Sequence, residues 1–187
     1  RVGGLGPHPG QTAGDQRPPT NLQEDTMGKR TNVIDHVTFI YRKENLDAAQ
    51  AELSAALGIT DWDGPTEFER FGIIQVQSVS AGVELLAPTG DHGFIADHLK
   101  DHGEGFFALI YGVENLYKAV RETRARGIEP VLDGDGSPLV IDSMVGGADG
   151  GLAHPTWAGK VTVYKEVPLQ PVAGLNLYLG EIEAVGN

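Results

Sequence analysis

Cysteine is absent from this sequence, which excludes disulfides and every thiolate nucleophile or thiolate metal site and fits a reducing cytoplasm. No apolar run approaches the ~20 residues that a bilayer-spanning helix needs, so no membrane segment is expected. Basic residues are scarce: fourteen Lys and Arg stand against twenty-six Asp and Glu, a formal net charge of −12. That sign repels a phosphate backbone and an anionic bilayer alike, which removes nucleic acid and membrane surfaces as partners. Aromatics are only 7% of the chain, but hydrophobic residues reach 40% of its 187 positions, enough for one buried core.

Glycine and proline cluster in residues 1–31, at Gly3-Gly4, Pro7, Pro9-Gly10 and Pro18-Pro19, with no apolar periodicity and no apolar centre of the secretory kind. This composition reads as a flexible tail, with Met27 as a candidate natural start. The stretch that follows is used twice. Val33 to Ile40 and then Glu44-Asn45-Leu46 return, seventy residues on, as Phe106 to Tyr111 and Glu114-Asn115-Leu116. One supersecondary unit repeated once points to a paired, pseudo-symmetric domain.

In the first unit, residues 32–88, alternation places His36, Thr38 and Ile40 on one face of a strand and Asp35, Val37, Phe39 and Tyr41 on the other. Leu46, Ala49, Leu53, Ala56 and Leu57 then recur at helical spacing, closed by Gly58. Three strands are expected after it, at Thr66 to Phe71, Ile73 to Ser78 and Gly82 to Ala87. Residues 89–104 read as a linker helix. The second unit, 105–168, carries Leu116, Ala119, Val120 and Thr123 on one helix face and strand candidates at Leu139 to Ile141, Gly151 to His154 and Lys160 to Val167. Residues 169–187 remain as a C-terminal extension in which Leu175 to Ile182 is expected as an edge strand or as a segment added to a partner subunit.

Ile34-Asp35-His36-Val37 resembles the opening strand of the vicinal oxygen chelate superfamily, the glyoxalase, bleomycin-resistance and extradiol dioxygenase group. Gly82-Val83-Glu84-Leu85-Leu86-Ala87-Pro88, the linker Ile95 to Leu99, and His102-Gly103-Glu104-Gly105 resemble methylmalonyl-CoA epimerases. His154-Pro155 followed by Gly159 resembles the turn into the family's last strand. The resemblance implies an α+β fold in which two β-α-β-β-β modules form a half-open mixed-sheet barrel with its site on the concave face, and it implies a homodimer. It also implies metal ligands on the first and fourth strands of each module, positions that here carry His36, Glu84, Ala108 and Tyr164. Ala108 has no donor and a phenol is neutral near pH 7. A divalent metal would therefore rest on His36 and Glu84, with Glu166, two residues beyond Tyr164 on the same strand face, as a third candidate.

Two functions follow. As an enzyme, the chain would move protons on a small carbonyl or acyl-type substrate, by isomerase, epimerase or lyase chemistry. His36, Glu84 and Tyr164 would be its catalytic groups, and Thr38, Phe106, Ala108, Ile110 and Trp157 would contact substrate. As a binding protein, it would sequester an apolar small molecule without metal. Glu67 and Glu69 lie near the place where epimerases of the family carry a glutamate before a glycine, here Gly72, and read equally as a solvated edge strand. His98 and His102, four apart on the linker helix, read as surface histidines, and Gly146 to Gly151 as a loop.

Overall fold

The computed structural model describes residues 28–145 and 159–185. One eight-stranded sheet carries the chain, in the order β2-β3-β4-β1-β5-β8-β7-β6, curled into a half-barrel. The strands are β1 (Ile34–Ile40), β2 (Asp63–Phe68), β3 (Ile73–Ser78), β4 (Val83–Pro88), β5 (Gly105–Gly112), β6 (Ile141–Asp142), β7 (Val161–Pro168) and β8 (Asn176–Ala184). Helices α1 (Leu46–Leu57), α2 (Phe94–His102) and α3 (Leu116–Ala125) complete the fold.

Two β-α-β-β-β units meet at the antiparallel β1–β5 seam, as the repeat implies. In the first, β1 pairs in parallel with β4; in the second, β5 pairs in parallel with β8. The run from Leu175 to Ile182 is therefore neither an edge strand nor free for a partner. It forms most of the second unit's fourth strand, hydrogen-bonded on both sides, between β5 and β7. A strand crossing back over α3 must pair parallel to β5, and β7, which runs antiparallel to β8, does not satisfy that requirement.

Packing follows the alternation along β1. His36, Thr38 and Ile40 are buried on the concave side, where Ile40, Leu86, Ile95, Phe107, Ala108, Ile110, Tyr164 and Tyr178 form one cluster. On the outer side, α1 and its neighbours cover Ile74, Val76, Val83 and Leu85, while α3 packs Leu116 and Val120 against Val167 and Leu179. The α1 face is narrower than its spacing suggests: only Leu46 and Ala49 are buried, and Leu57 is 61% exposed. Gly58 ends that helix in a left-handed conformation, φ 73°, as expected of a glycine C-cap. The expected tail reaches less far than residue 31. Arg30 donates to the carbonyls of Asp35 (2.9 Å) and Ser80 (2.8 Å), and Lys29 pairs with Glu181 at 2.9 Å.

The middle position of β8 has a direct consequence. A chain ending after Pro168 leaves one side of both β5 and β7 unpaired and uncovers Val167 of the α3 cluster. We expect that truncation to lose its cooperative thermal transition and near-ultraviolet circular dichroism. A sharp transition at the full-length temperature contradicts this topology.

Candidate active site

The site begins at a slip in β1. The β1–β5 register changes between Ile34 and His36, leaving Asp35 without a paired partner. Neighbouring strand residues normally point to opposite faces, but a bulge re-aims a side chain. Here Asp35 Oδ1 lies 3.0 Å from Nδ1 of its own neighbour, His36, and both residues are buried. With that nitrogen committed to a carboxylate, His36 Nε2 is left facing inward. It lies 3.3 Å from the Tyr164 hydroxyl, 3.4 Å from Glu166 Oε1 and 3.8 Å from Glu84 Oε2.

Each neighbour is held in turn. Thr38 Oγ1 donates to Glu84 Oε2 at 2.6 Å, and the Gln75 amide donates to Glu84 Oε1. Gln77 Nε2 donates to the Tyr164 hydroxyl at 2.9 Å. Glu166 Oε1 is buried and has no hydrogen-bond partner. Burial pushes the Glu166 pKa up to about 8 against the pull of His36, and the carboxylates of Glu84 and Asp35 push the same way. Burial disfavours the His36 imidazolium, but the hydrogen bond it donates to Asp35 and the charges of Glu166 and Glu84 outweigh it, so its pKa lies above the ordinary histidine value. Burial, with help from Glu166 and Glu84, holds Tyr164 well above the usual phenol range.

In front of this cluster the half-barrel encloses a cavity of about 360 Å³. Its walls are largely apolar: Phe68 and Phe71, Phe94 and Ile95 of α2, Phe107, and Ile110. Among the described residues five polar side chains line it, namely Thr38, Glu84, Ser143, Glu166 and Tyr178. A small apolar chamber with a few convergent polar groups is the usual form of a small-molecule site. Gly180, opposite Glu166 in the β7–β8 pairing, makes room for the Ile110 side chain that lines the cavity, since a Cβ there would lie 2.6 Å from Ile110 Cγ2.

The expected site residues divide into three groups. Thr38, Glu84, Ala108, Ile110 and Glu166 line the cavity. His36 and Tyr164 do not; they stand behind Glu84 and Glu166, His36 being only 1% exposed. Phe106 faces outward, 47% exposed and edge-on to Phe39, because a second slip, between Thr38 and Phe39, turns Phe107 inward instead. Trp157, the strand candidate Gly151 to His154 and the Gly146 to Gly151 loop lie outside the described residues. Glu67 and Glu69 are exposed at the edge strand and the turn after it and do not line the cavity. His98 and His102 stack at 4.4 Å on the outer part of α2. Sequence reasoning passed over Asp35, Ser143 and Tyr178; only the position of β8 marks Tyr178, and nothing in the sequence marks Asp35 as a partner of His36.

The strand pairing also relocates the fourth metal-ligand position. His36 pairs with Ile110 and Thr38 with Ala108, so the pseudo-twofold carries 36 to 108 and 38 to 110. Thr38 pairs with Glu84 and Ile110 with Tyr178, which makes Tyr178, and not Tyr164, the counterpart of Glu84. Both oxygens of Glu84 are already engaged, and Ala108 offers nothing. Among the described residues no group of three or more His, Asp or Glu side chains is placed to hold a metal ion. As arranged, His36, Glu84 and Glu166 do not fit a divalent cation.

The family model of the glyoxalase/bleomycin resistance protein/dioxygenase superfamily matches residues 35–138. The chain belongs to that superfamily. No curated protein matches it. Among solved structures, a hypothetical protein from Bacillus halodurans is 18% identical with a TM-score of 0.58, covering 81% of this chain and 95% of its own. The methylmalonyl-CoA epimerase of Mycobacterium tuberculosis is 20% identical, with a TM-score of 0.57 and coverage of 81% and 89%. A variant of the Streptomyces coelicolor methylmalonyl-CoA epimerase, in complex with 2-nitronate-propionyl-CoA, is 19% identical, with a TM-score of 0.56 and coverage of 81% and 97%. At these identities the likeness is one of fold.

The buried pair makes stability depend on pH with a definite sign. Both pKa values are raised on folding, so the folded chain holds protons that the unfolded chain releases. For Glu166 the associated stability is full below the unfolded carboxylate value and is lost as pH rises to about 8. Thermal melts between about pH 5 and about pH 9 should show a falling midpoint, and Glu166→Gln should flatten the fall. Equal slopes in the two proteins would mean that Glu166 titrates normally.

Proposed function

We propose that the chain is an enzyme that transfers a proton at a carbon beside a carbonyl group, in an isomerase or epimerase type of reaction on a small carbonyl or acyl compound. The observation that carries this reading is Glu166: a carboxyl group on the cavity wall, its Oε1 without a hydrogen-bond partner, its pKa near working pH. A base is most effective when its pKa lies close to that pH. The ionised carboxylate takes the proton from the carbon, the C–H electron pair moves into an enolate, and the same or a second group returns a proton to carbon.

Glu84 is the second group. It enters the cavity from the other module, and His36 Nε2 lies between the two carboxylates, 3.4 Å from one and 3.8 Å from the other. His36 does not touch the cavity; as a positioning residue it sits between both carboxylates, and its charge pulls the Glu166 pKa down against burial. The fold shared with methylmalonyl-CoA epimerases supports placing acyl thioesters among the substrates to try. The largely apolar walls favour a second reading, in which the cavity sequesters an apolar molecule without reaction.

Exchange of solvent deuterium into carbon, followed by mass spectrometry on acyl thioesters, 2-oxo acids and cyclic ketones, separates the two. We expect exchange with at least one class, lowered about 10²- to 10⁴-fold by Glu166→Gln with the fold intact. Full exchange in that variant removes Glu166 as the base. Tight binding of an apolar aromatic probe with no exchange in any class favours the sequestering reading.

A further inference from the structure

Proton abstraction beside a carbonyl leaves negative charge on oxygen, and a largely apolar cavity must supply hydrogen-bond donors to it. Glu84 and Thr38 are committed to each other at 2.6 Å, which removes Thr38 as a donor. Two hydroxyls remain. Ser143 and Tyr178 both line the cavity, both are buried, and neither side chain has a hydrogen-bond partner among the described residues. Two hydroxyl donors on the wall of one largely apolar chamber, neither engaged by a side chain around it, describe a site shaped for an acceptor.

The framework places them beside the base. Tyr178 pairs with Pro168, two residues from Glu166, and the Ser143 backbone N–H donates to the Tyr164 carbonyl, two residues from Glu166 on its other side. Tyr178 is the second module's counterpart of Glu84 under the β1–β5 pseudo-twofold, so one module offers a carboxylate and the other a phenol at equivalent points of the wall. Burial and the charges of Glu166 and Glu84 hold that phenol in its protonated, donating form.

We infer that the Tyr178 and Ser143 hydroxyls donate hydrogen bonds to the substrate's carbonyl oxygen and to the enolate formed from it, making them an oxyanion-binding pair. The inference rests on the proton-transfer reading for the enolate and extends it: the substrate is one whose reacting carbonyl enters toward β8, with its apolar part against Phe107 and α2. The C–H bond breaks, its electron pair forms the enolate C=C bond as the carbonyl π pair moves onto oxygen, and the proton goes to Glu166.

The test uses 4-nitrophenolate, an apolar ring bearing an oxyanion, whose visible absorption band reports hydrogen bonding to that oxygen. The full chain should bind it near neutral pH with a shifted band. Tyr178→Phe and Ser143→Ala, each of which removes one hydroxyl group, should each weaken binding about tenfold or more and relax the shift. Glu166→Gln should keep the shift while losing deuterium exchange, which separates the donors from the base. In the exchange assay the two hydroxyl variants should lower kcat more than they change KM. No shifted band in the parent chain, or unchanged binding in a folded Tyr178→Phe/Ser143→Ala double variant, overturns the inference whether or not exchange occurs. Retained probe binding alongside exchange that survives Glu166→Gln leaves the oxyanion pair standing and removes Glu166 as the base, whereas retained probe binding with no exchange in any substrate class overturns the proton-transfer reading alone.

Discussion

Everything in the cavity depends on a single buried imidazole. Two carboxylates from different modules cannot share a largely apolar chamber unless something between them carries or distributes a proton. His36 does this, and it does so because Asp35 holds its far nitrogen. The hydrogen bond between sequence neighbours requires β1 to slip by one residue, so a local backbone irregularity fixes the ring's direction. The ring's Nε2 then faces Glu166 at 3.4 Å and Glu84 at 3.8 Å. Burial pushes the Glu166 pKa up to about 8 against the pull of His36, while Thr38 and Gln75 donate to the two oxygens of Glu84.

The two modules have taken the same framework to different ends. The pseudo-twofold relates His36 to Ala108 and Glu84 to Tyr178, so equivalent points of the two modules carry an ionisable group in the first and an apolar or phenolic one in the second. A symmetric set of ligands would favour a central cation. The asymmetric set instead gives the cavity one end near the charges and another formed by Phe107 and the α2 side chains Phe94 and Ile95.

Much of this was legible in the sequence where periodicity alone decides. The β1 alternation placed His36, Thr38 and Ile40 inward, and the repeated Glu-Asn-Leu phrase gave two modules. What escaped depends on pairing and on irregularity. Strict alternation points Phe106 into the cavity, but a one-residue slip against β1 exchanges it for Phe107. Tyr164 and Tyr178 are both tyrosines on consecutive strands, and only the parallel pairing with β5 distinguishes the residue that lines the cavity from the one behind it. The Leu175 to Ile182 run reads as surplus because the strand candidates at Leu139 to Ile141, Gly151 to His154 and Lys160 to Val167 already fill the second module, and only the pairing of β8 between β5 and β7 gives the run its place.

The place of β8 also sets an order of events during synthesis. The first module has all four of its strands once Pro88 has left the ribosome, and most of its contacts are near in sequence. The second has no such early closure: β5 waits some seventy residues for its parallel partner, with Ala108 to Gly112 unpaired on that side until β8 arrives. During that interval the nascent chain carries an open strand edge beside the future cavity. The cavity's Tyr178 wall is among the last features to exist.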